Sequence, residues 1–93
     1  MATVIVKHRV ASFEDFKQIY DAGGDARKAH GWVRHTILRD AHDPNLVTII
    51  HRVQSLERAK DYGASDEVRS AMQRGVLGPP EVTFLEEAEE LSY

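Results

Sequence analysis

Between Thr3 and Val10 the chain alternates: Val4, Val6, His8 and Val10 fall on one side, Ile5, Lys7 and Arg9 on the other. A period of two marks a strand with one apolar and one mixed face. The period then lengthens. Phe13, Phe16, Ile19, Tyr20, Gly23, Ala26 and His30 recur at helical spacing, and Ser12 stands where an N-cap belongs, with Asp15 three residues on. The spacing predicts a helix over Phe13–His30, continuous or kinked at Gly23-Gly24, with Gly31 to stop it. Strands follow at Val33–Arg39 and Leu46–Val53. The turn formers Asp40, Asp43, Pro44 and Asn45 join them into a hairpin. Within Leu46–Val53 both faces are largely apolar, the pattern of a central strand buried on both sides. Ser55 caps a second helical segment, Leu56–Arg74, interrupted at Gly63-Ala64-Ser65 and closed by Gly75. Gly78-Pro79-Pro80 reads as a rigid extended turn before a last strand at Val82–Glu87.

Strand, helix, strand, strand, helix, strand is a split βαβ order. It predicts an α+β, ferredoxin-like fold: a four-stranded antiparallel sheet in the order 4-1-3-2 with two helices on one face. Two helices cover one face only, so the other is wet, holds a ligand or meets a partner. With 93 residues the expectation is one domain, Met1–Tyr93, whose core is thin because a chain this short buries only about 60–65% of its unfolded surface. A net charge of −3 with scattered Lys and Arg gives no footprint for nucleic acid. The absence of cysteine excludes disulfides, thiolate catalysis and Cys-ligated metals. No apolar run is long enough to span a bilayer, and the N-terminus lacks the pattern of a signal peptide, so a soluble cytoplasmic protein is expected, with no membrane partner. The acidic run Glu86–Glu90 reads as a solvated end.

Four stretches resemble the dimeric α/β-barrel superfamily, specifically its small antibiotic-biosynthesis-monooxygenase-like and cyclase-like proteins. They are Val6-Lys-His-Arg-Val10 with Phe13-Glu-Asp-Phe16, Leu38–Asn45, Ser65–Met72 and Gly75–Glu86, together nearly the whole chain. The resemblance implies a homodimer whose subunits pack sheet against sheet. It also implies a small-molecule cleft between the sheet and the helices of each subunit, for an aromatic or apolar ligand. Members of that superfamily include cofactor-free monooxygenases of aromatic polyketides, haem-degrading monooxygenases and polyketide cyclases. The haem-degrading members carry a haem-ligating histidine on the second helix, and Leu56–Arg74 contains none. Nor does the Asn, Trp and Arg set of the cofactor-free enzymes carry over, since Asn45 lies in a hairpin turn and Trp32 is elsewhere. The implied function is a small-molecule-binding homodimer working without a cofactor, as a monooxygenase or cyclase-like enzyme on an aromatic or polyketide-type substrate. The alternatives are a non-catalytic dimeric binding or stress-related module and, further off, a haem- or metal-binding protein.

Histidine titrates near neutrality and suits general base work. His8 is the first candidate base, because its strand face points where such a cleft lies; the plain alternative is a satisfied core histidine. His35 and His51 are weaker candidates. The hairpin turn places them opposite each other on adjacent strands, as two partly buried or edge histidines with ordinary hydrogen bonds, a pocket acid and base, or a sparse metal site lacking a carboxylate. Tyr20, Trp32, Tyr62 and Phe84 are candidate pocket walls, although aromatic residues at such spacing also build cores. Arg9 and Arg52 interrupt strands and call for acidic partners or a place at the rim. His30 is placed to cap a helix C-terminus, and His42 lies in the turn.

Overall fold

The computed structural model describes Met1–Tyr93. Its elements are β1 (Ala2–Arg9), α1 (Phe13–Ala22), α2 (Gly24–Ala29), β2 (Trp32–Arg39), β3 (Leu46–Val53), α3 (Leu56–Gly63), α4 (Asp66–Gly75) and β4 (Leu77–Glu86). The strands form one antiparallel sheet in the order β2-β3-β1-β4, the expected ferredoxin-like arrangement with β3 and β1 inside. No helix is long and apolar enough to cross a membrane.

Both helical segments divide in two, the second at its expected interruption and the first at Gly23, where the spacing predicts a continuous or kinked helix. Gly23 ends α1, and its backbone N–H returns to the Tyr20 carbonyl. A side chain there would crowd the molecule: a Cβ on Gly23 would stand 2.9 Å from Arg27 Nη1 and 3.5 Å from the Tyr62 hydroxyl. The break therefore serves a close approach. Gly31, at φ 96°, takes the left-handed conformation that stops α2 and turns the chain into β2. In the second pair, Ser65 separates α3 from α4 and accepts a hydrogen bond from Val68 N–H, as Ser55 does from Arg58 and Ser12 from Asp15.

The last strand differs most from expectation. It begins at Leu77, so Gly78-Pro79-Pro80 lies inside it and not in a turn before it. Register with β1 slips between Lys7 and Arg9, which pair with Glu81 and Leu77. The prolines are tolerated because β4 is an edge strand, where a missing N–H leaves no neighbour unsatisfied. The acidic end is also not wholly solvated. Glu87 approaches Arg52 to 2.9 Å and Glu90 to 3.7 Å, and gives that strand arginine its partners.

Alternation along β3 sorts the two faces. Val47, Ile49, His51 and Val53 are buried toward the helices, while Leu46, Thr48, Ile50 and Arg52 on the other face stay half-exposed. The buried core is small and split. One cluster is Ala2, Val4, Val53 and Ala59; the other is Val10, Phe16, Val47 and Ile49. Space remains between the helices and the sheet, bordered by both clusters.

Candidate functional site

That space is a cavity of about 620 Å³, walled by Val4, Val6 and His8 of β1, Ile49 and His51 of β3, Val82 and Phe84 of β4, and the inner faces of the helices. It falls in the size range of small-molecule sites, and most of its lining is hydrophobic. A shallower cleft of about 420 Å³ lies elsewhere, between the N-terminus, Gln54–Glu57 and Glu86-Glu87, and carries no histidine or aromatic side chain.

His8 reaches the cavity because strand alternation puts it on the same side as Val4 and Val6. Its side chain is nearly inaccessible, at 4% exposure, and the Phe16 ring packs edge-on against it with centroids 5.0 Å apart. Nδ1 has no hydrogen-bond partner. Burial pushes the imidazole pKa below its ordinary value, so the ring is neutral at neutral pH and able to accept a proton.

His51 is equally buried but differently committed. Its Nδ1 lies 3.0 Å from the Val4 carbonyl and its Nε2 lies 3.0 Å from the Tyr20 hydroxyl. A carbonyl only accepts, so Nδ1 carries the proton and donates; Nε2 of the neutral ring then accepts from Tyr20 O–H. Burial holds the His51 pKa down at about 4, with the Arg27 charge and the neighbouring histidines adding to the effect of burial. Tyr20 is raised to about 12, again chiefly by burial. The pair is therefore a fixed neutral hydrogen-bonded unit that lines the cavity and presents the Tyr20 oxygen. His35 is the Cα partner of His51 across β2 and β3, as the turn predicts. It is exposed, lies outside the cavity lining, and rests edge-on against Tyr20 at 5.1 Å. With both His51 nitrogens engaged inside the protein, the two histidines do not offer a pair of free metal ligands. No three His, Asp or Glu side chains converge anywhere in the structure.

The aromatic candidates converge. Trp32 stands edge-on to His51 at 5.7 Å and to Tyr62 at 5.5 Å, and Phe16 leans on Tyr20 at 5.7 Å. Tyr62 is buried, stacked on His30 at 4.6 Å, and burial raises its pKa. Phe84 forms an outer wall beneath Lys60, whose Nζ lies 4.9 Å from the ring centroid. Trp32 owes its place to a bulge. Trp32 pairs with Val53 and Arg34 with Arg52, so one extra residue of β2 opposes β3 there. Strict alternation would put Trp32 and His35 on opposite faces. The extra residue brings both to the helix side. Trp32 Nε1 is buried without a hydrogen-bond partner.

Sequence reasoning missed Arg27. It lies on α2, is 9% exposed, and lines the cavity with its guanidinium 3.7 Å above the Tyr20 ring. The nearest signal in the sequence was Gly23, one helical turn earlier, whose bare backbone makes room for it. Arg9 and Arg52 lie away from the cavity, paired with Asp43 and with Glu87 and Glu90.

No family model matches the chain, and no curated protein matches it. Solved structures do. Among them is SnoaB, a cofactor-independent oxygenase from Streptomyces nogalater, at 16% identity and a TM-score of 0.79 over 99% of this chain and 97% of that one. An antibiotic biosynthesis monooxygenase matches at 12% identity and a TM-score of 0.68 over 96% of this chain and all of its own. Rv0793 from Mycobacterium tuberculosis matches at 16% and 0.73 over 98% of both chains. The neighbours are thus antibiotic-biosynthesis-monooxygenase-like in fold, in line with the resemblance read from the sequence. At such identities the likeness carries the fold and not the reaction.

Proposed function

We propose that the protein is a cofactor-free monooxygenase that binds an aromatic, polyketide-type substrate in the cavity between sheet and helices, with His8 as general base. The observation that carries the reading is the neutral, buried imidazole of His8 in the wall of an aromatic-lined cavity of about 620 Å³. The likeness in fold to a cofactor-independent oxygenase supports it.

The chemistry asks little of the protein beyond proton transfer and exclusion of water. His8 takes a proton from an acidic ring methylene or phenol of an anthrone-like substrate. The carbanion so formed supplies its electrons to dioxygen, and a carbon–oxygen bond forms. The peroxide anion takes the proton back from His8 and becomes a hydroperoxide. It then loses a second ring hydrogen and its terminal oxygen as water, leaving a carbonyl. One methylene and one dioxygen become one carbonyl and one water, with the substrate as the only reductant. The Tyr20–His51 unit, with Trp32 and Tyr62, would hold the ring plane.

Oxygen uptake with an anthrone such as dithranol tests this. The wild-type protein is expected to accelerate uptake, and His8→Ala to lose about a hundredfold or more of that rate, the usual contribution of a positioned base. Uptake by the wild type no faster than in buffer would overturn the reading. An undiminished rate in His8→Ala would remove His8 from it.

The assembly proposed with it is a homodimer through the sheet face that the helices leave open. Ile5, Ile50, Leu38 and Leu85 on that face support it, since a small protein seldom leaves such a stretch uncovered.

A further inference from the structure

We infer that the ligand of this cavity is an aromatic carboxylate, anionic before any chemistry begins, whose acid group pairs with the buried, unpartnered guanidinium of Arg27. The inference rests on reading the cavity as a substrate site and adds the charge of what enters it.

A guanidinium so buried ordinarily meets a carboxylate of its own protein. Arg27 does not. None of the ion pairs in the structure includes it, its side chain makes no hydrogen bond, and its one close partner is the Tyr20 ring. The acid whose charge reaches Tyr20, Asp21, is taken by Lys17 at 2.6 Å. Gly23 leaves open the space beside Nη1 that any other residue would fill. The N–H groups of Arg27 are thus unspent at a cavity wall.

The charges around the cavity point the same way. Its lining holds Arg27, Lys60, Arg69 and Arg74 against a single acid, Glu67, in a chain of net charge −3. Arg69 shares its charge with Asp66 at 3.7 Å, so Arg27, Lys60 and Arg74 face the single acid Glu67 and positive charge stays in excess. A low-dielectric cleft lined mainly by one sign of charge concentrates ligands of the other. Most of the other lining residues are apolar or aromatic, Phe16, Ile49 and Phe84 among them, and suit a flat hydrocarbon body. A carboxylate fits one buried guanidinium in charge and in its planar, two-pronged geometry. A phosphate would bring a second charge with no second buried cation to meet it.

Calorimetric titration of the full chain with 2-naphthoate and with its neutral isostere 2-naphthamide tests the inference without any turnover. The wild type is expected to bind the acid at least about tenfold more tightly, the step of a single charge-assisted pair. Arg27→Met should bring the two within about twofold of each other, and Arg27→Lys should keep part of the preference. Should Arg27→Met fail to fold, the Arg27 Nε–H resonance of the wild type serves instead, and is expected to move with the acid and stay with the amide. Equal affinities, binding of neither compound, a preference that survives Arg27→Met, or an Arg27 signal indifferent to the acid overturns the inference. Because the oxygen-uptake assay uses an uncharged anthrone, failure of the carboxylate preference and failure of the oxygenase reading are separate results.

Discussion

The Nδ1 proton of His51 is committed to the Val4 carbonyl and its Nε2 lone pair to the Tyr20 hydroxyl. Protonating Nε2 would place a charge in the core and turn the Tyr20 bond around. That cost appears as a folded-state pKa of about 4 against 6.5 for a free side chain. The sign follows from proton binding: between these values the unfolded chain holds more protons than the folded one, so stability rises with pH. The contribution of neutral His51 is whole above about pH 6.5 and is lost as pH falls toward 4. From neutrality to pH 5 the loss is about 2 kcal/mol. Urea denaturation across that range should show the midpoint falling with pH in the wild type and falling less steeply in His51→Gln. His8, lowered for the same reason, leaves a residual slope in the variant. Two histidines of one sequence type thus take different parts. His51 has both nitrogens satisfied and serves geometry, whereas His8 keeps one unused. Nothing in the residue spacing distinguishes them, because the distinction lies in which carbonyl and hydroxyl the packed helices bring near.

Both long helical periods are cut in the structure, and the cuts are capped differently. Gly23 breaks the first where Arg27 folds back over Tyr20, and Ser65 restarts the second over the cavity. α4 contains no fully buried residue, so its cap carries a large part of its local stability. Ser65→Ala is expected to cost about 1 kcal/mol and to raise amide hydrogen exchange in Asp66–Gly75 above that of β1 and β3. Equal protection of α4 in wild type and variant would refute this account of the cap. At this scale the sequence is most readable. Period, caps and turn formers located β3, both starts of the second helical pair and the hairpin. It misled where a residue's local habit yields to position. Gly78-Pro79-Pro80 has the composition of a turn but lies in an edge strand, which is a property of sheet order. Arg27 on a polar helix face has the look of a solvated cation. Its burial combines the Tyr20 ring and the missing Cβ of Gly23 with a cavity wall built by other elements, which no window of neighbouring residues contains. The bulge that turns Trp32 inward was invisible for the same reason, since it is defined only by the partner strand.

Taken whole, the molecule is a one-sided sheet. Only 13 of its 93 residues are buried, and they are divided around a cavity, so the chain carries little hydrophobic core for its length. Burying the open face against a second copy would supply apolar contact that the cavity takes away. One charge on that face is already arranged in a way compatible with burial. Arg52, near the end of β3 and across from Arg34, already holds Glu87 and comes within 3.7 Å of Glu90, so its charge would enter an interface paired and not bare. Leu38 and Leu85, at 46% and 41% exposure, extend the apolar surface toward the two sheet edges from Ile5 and Ile50 between them. Sedimentation at micromolar concentration is expected to give a dimer for the wild type. Ile50→Glu, which places a charge at the middle of the face and away from the cavity, should give a monomer that keeps its strand circular dichroism but melts at a lower temperature. A monomeric wild type would refute the assembly. A variant that remained dimeric would move the contact to some surface other than the sheet. Because the cavity lies on the helix side, ligand binding by an Ile50→Glu monomer also separates the two halves of the design: retained binding places the whole site within one subunit, and lost binding makes the second subunit part of what holds the site in shape.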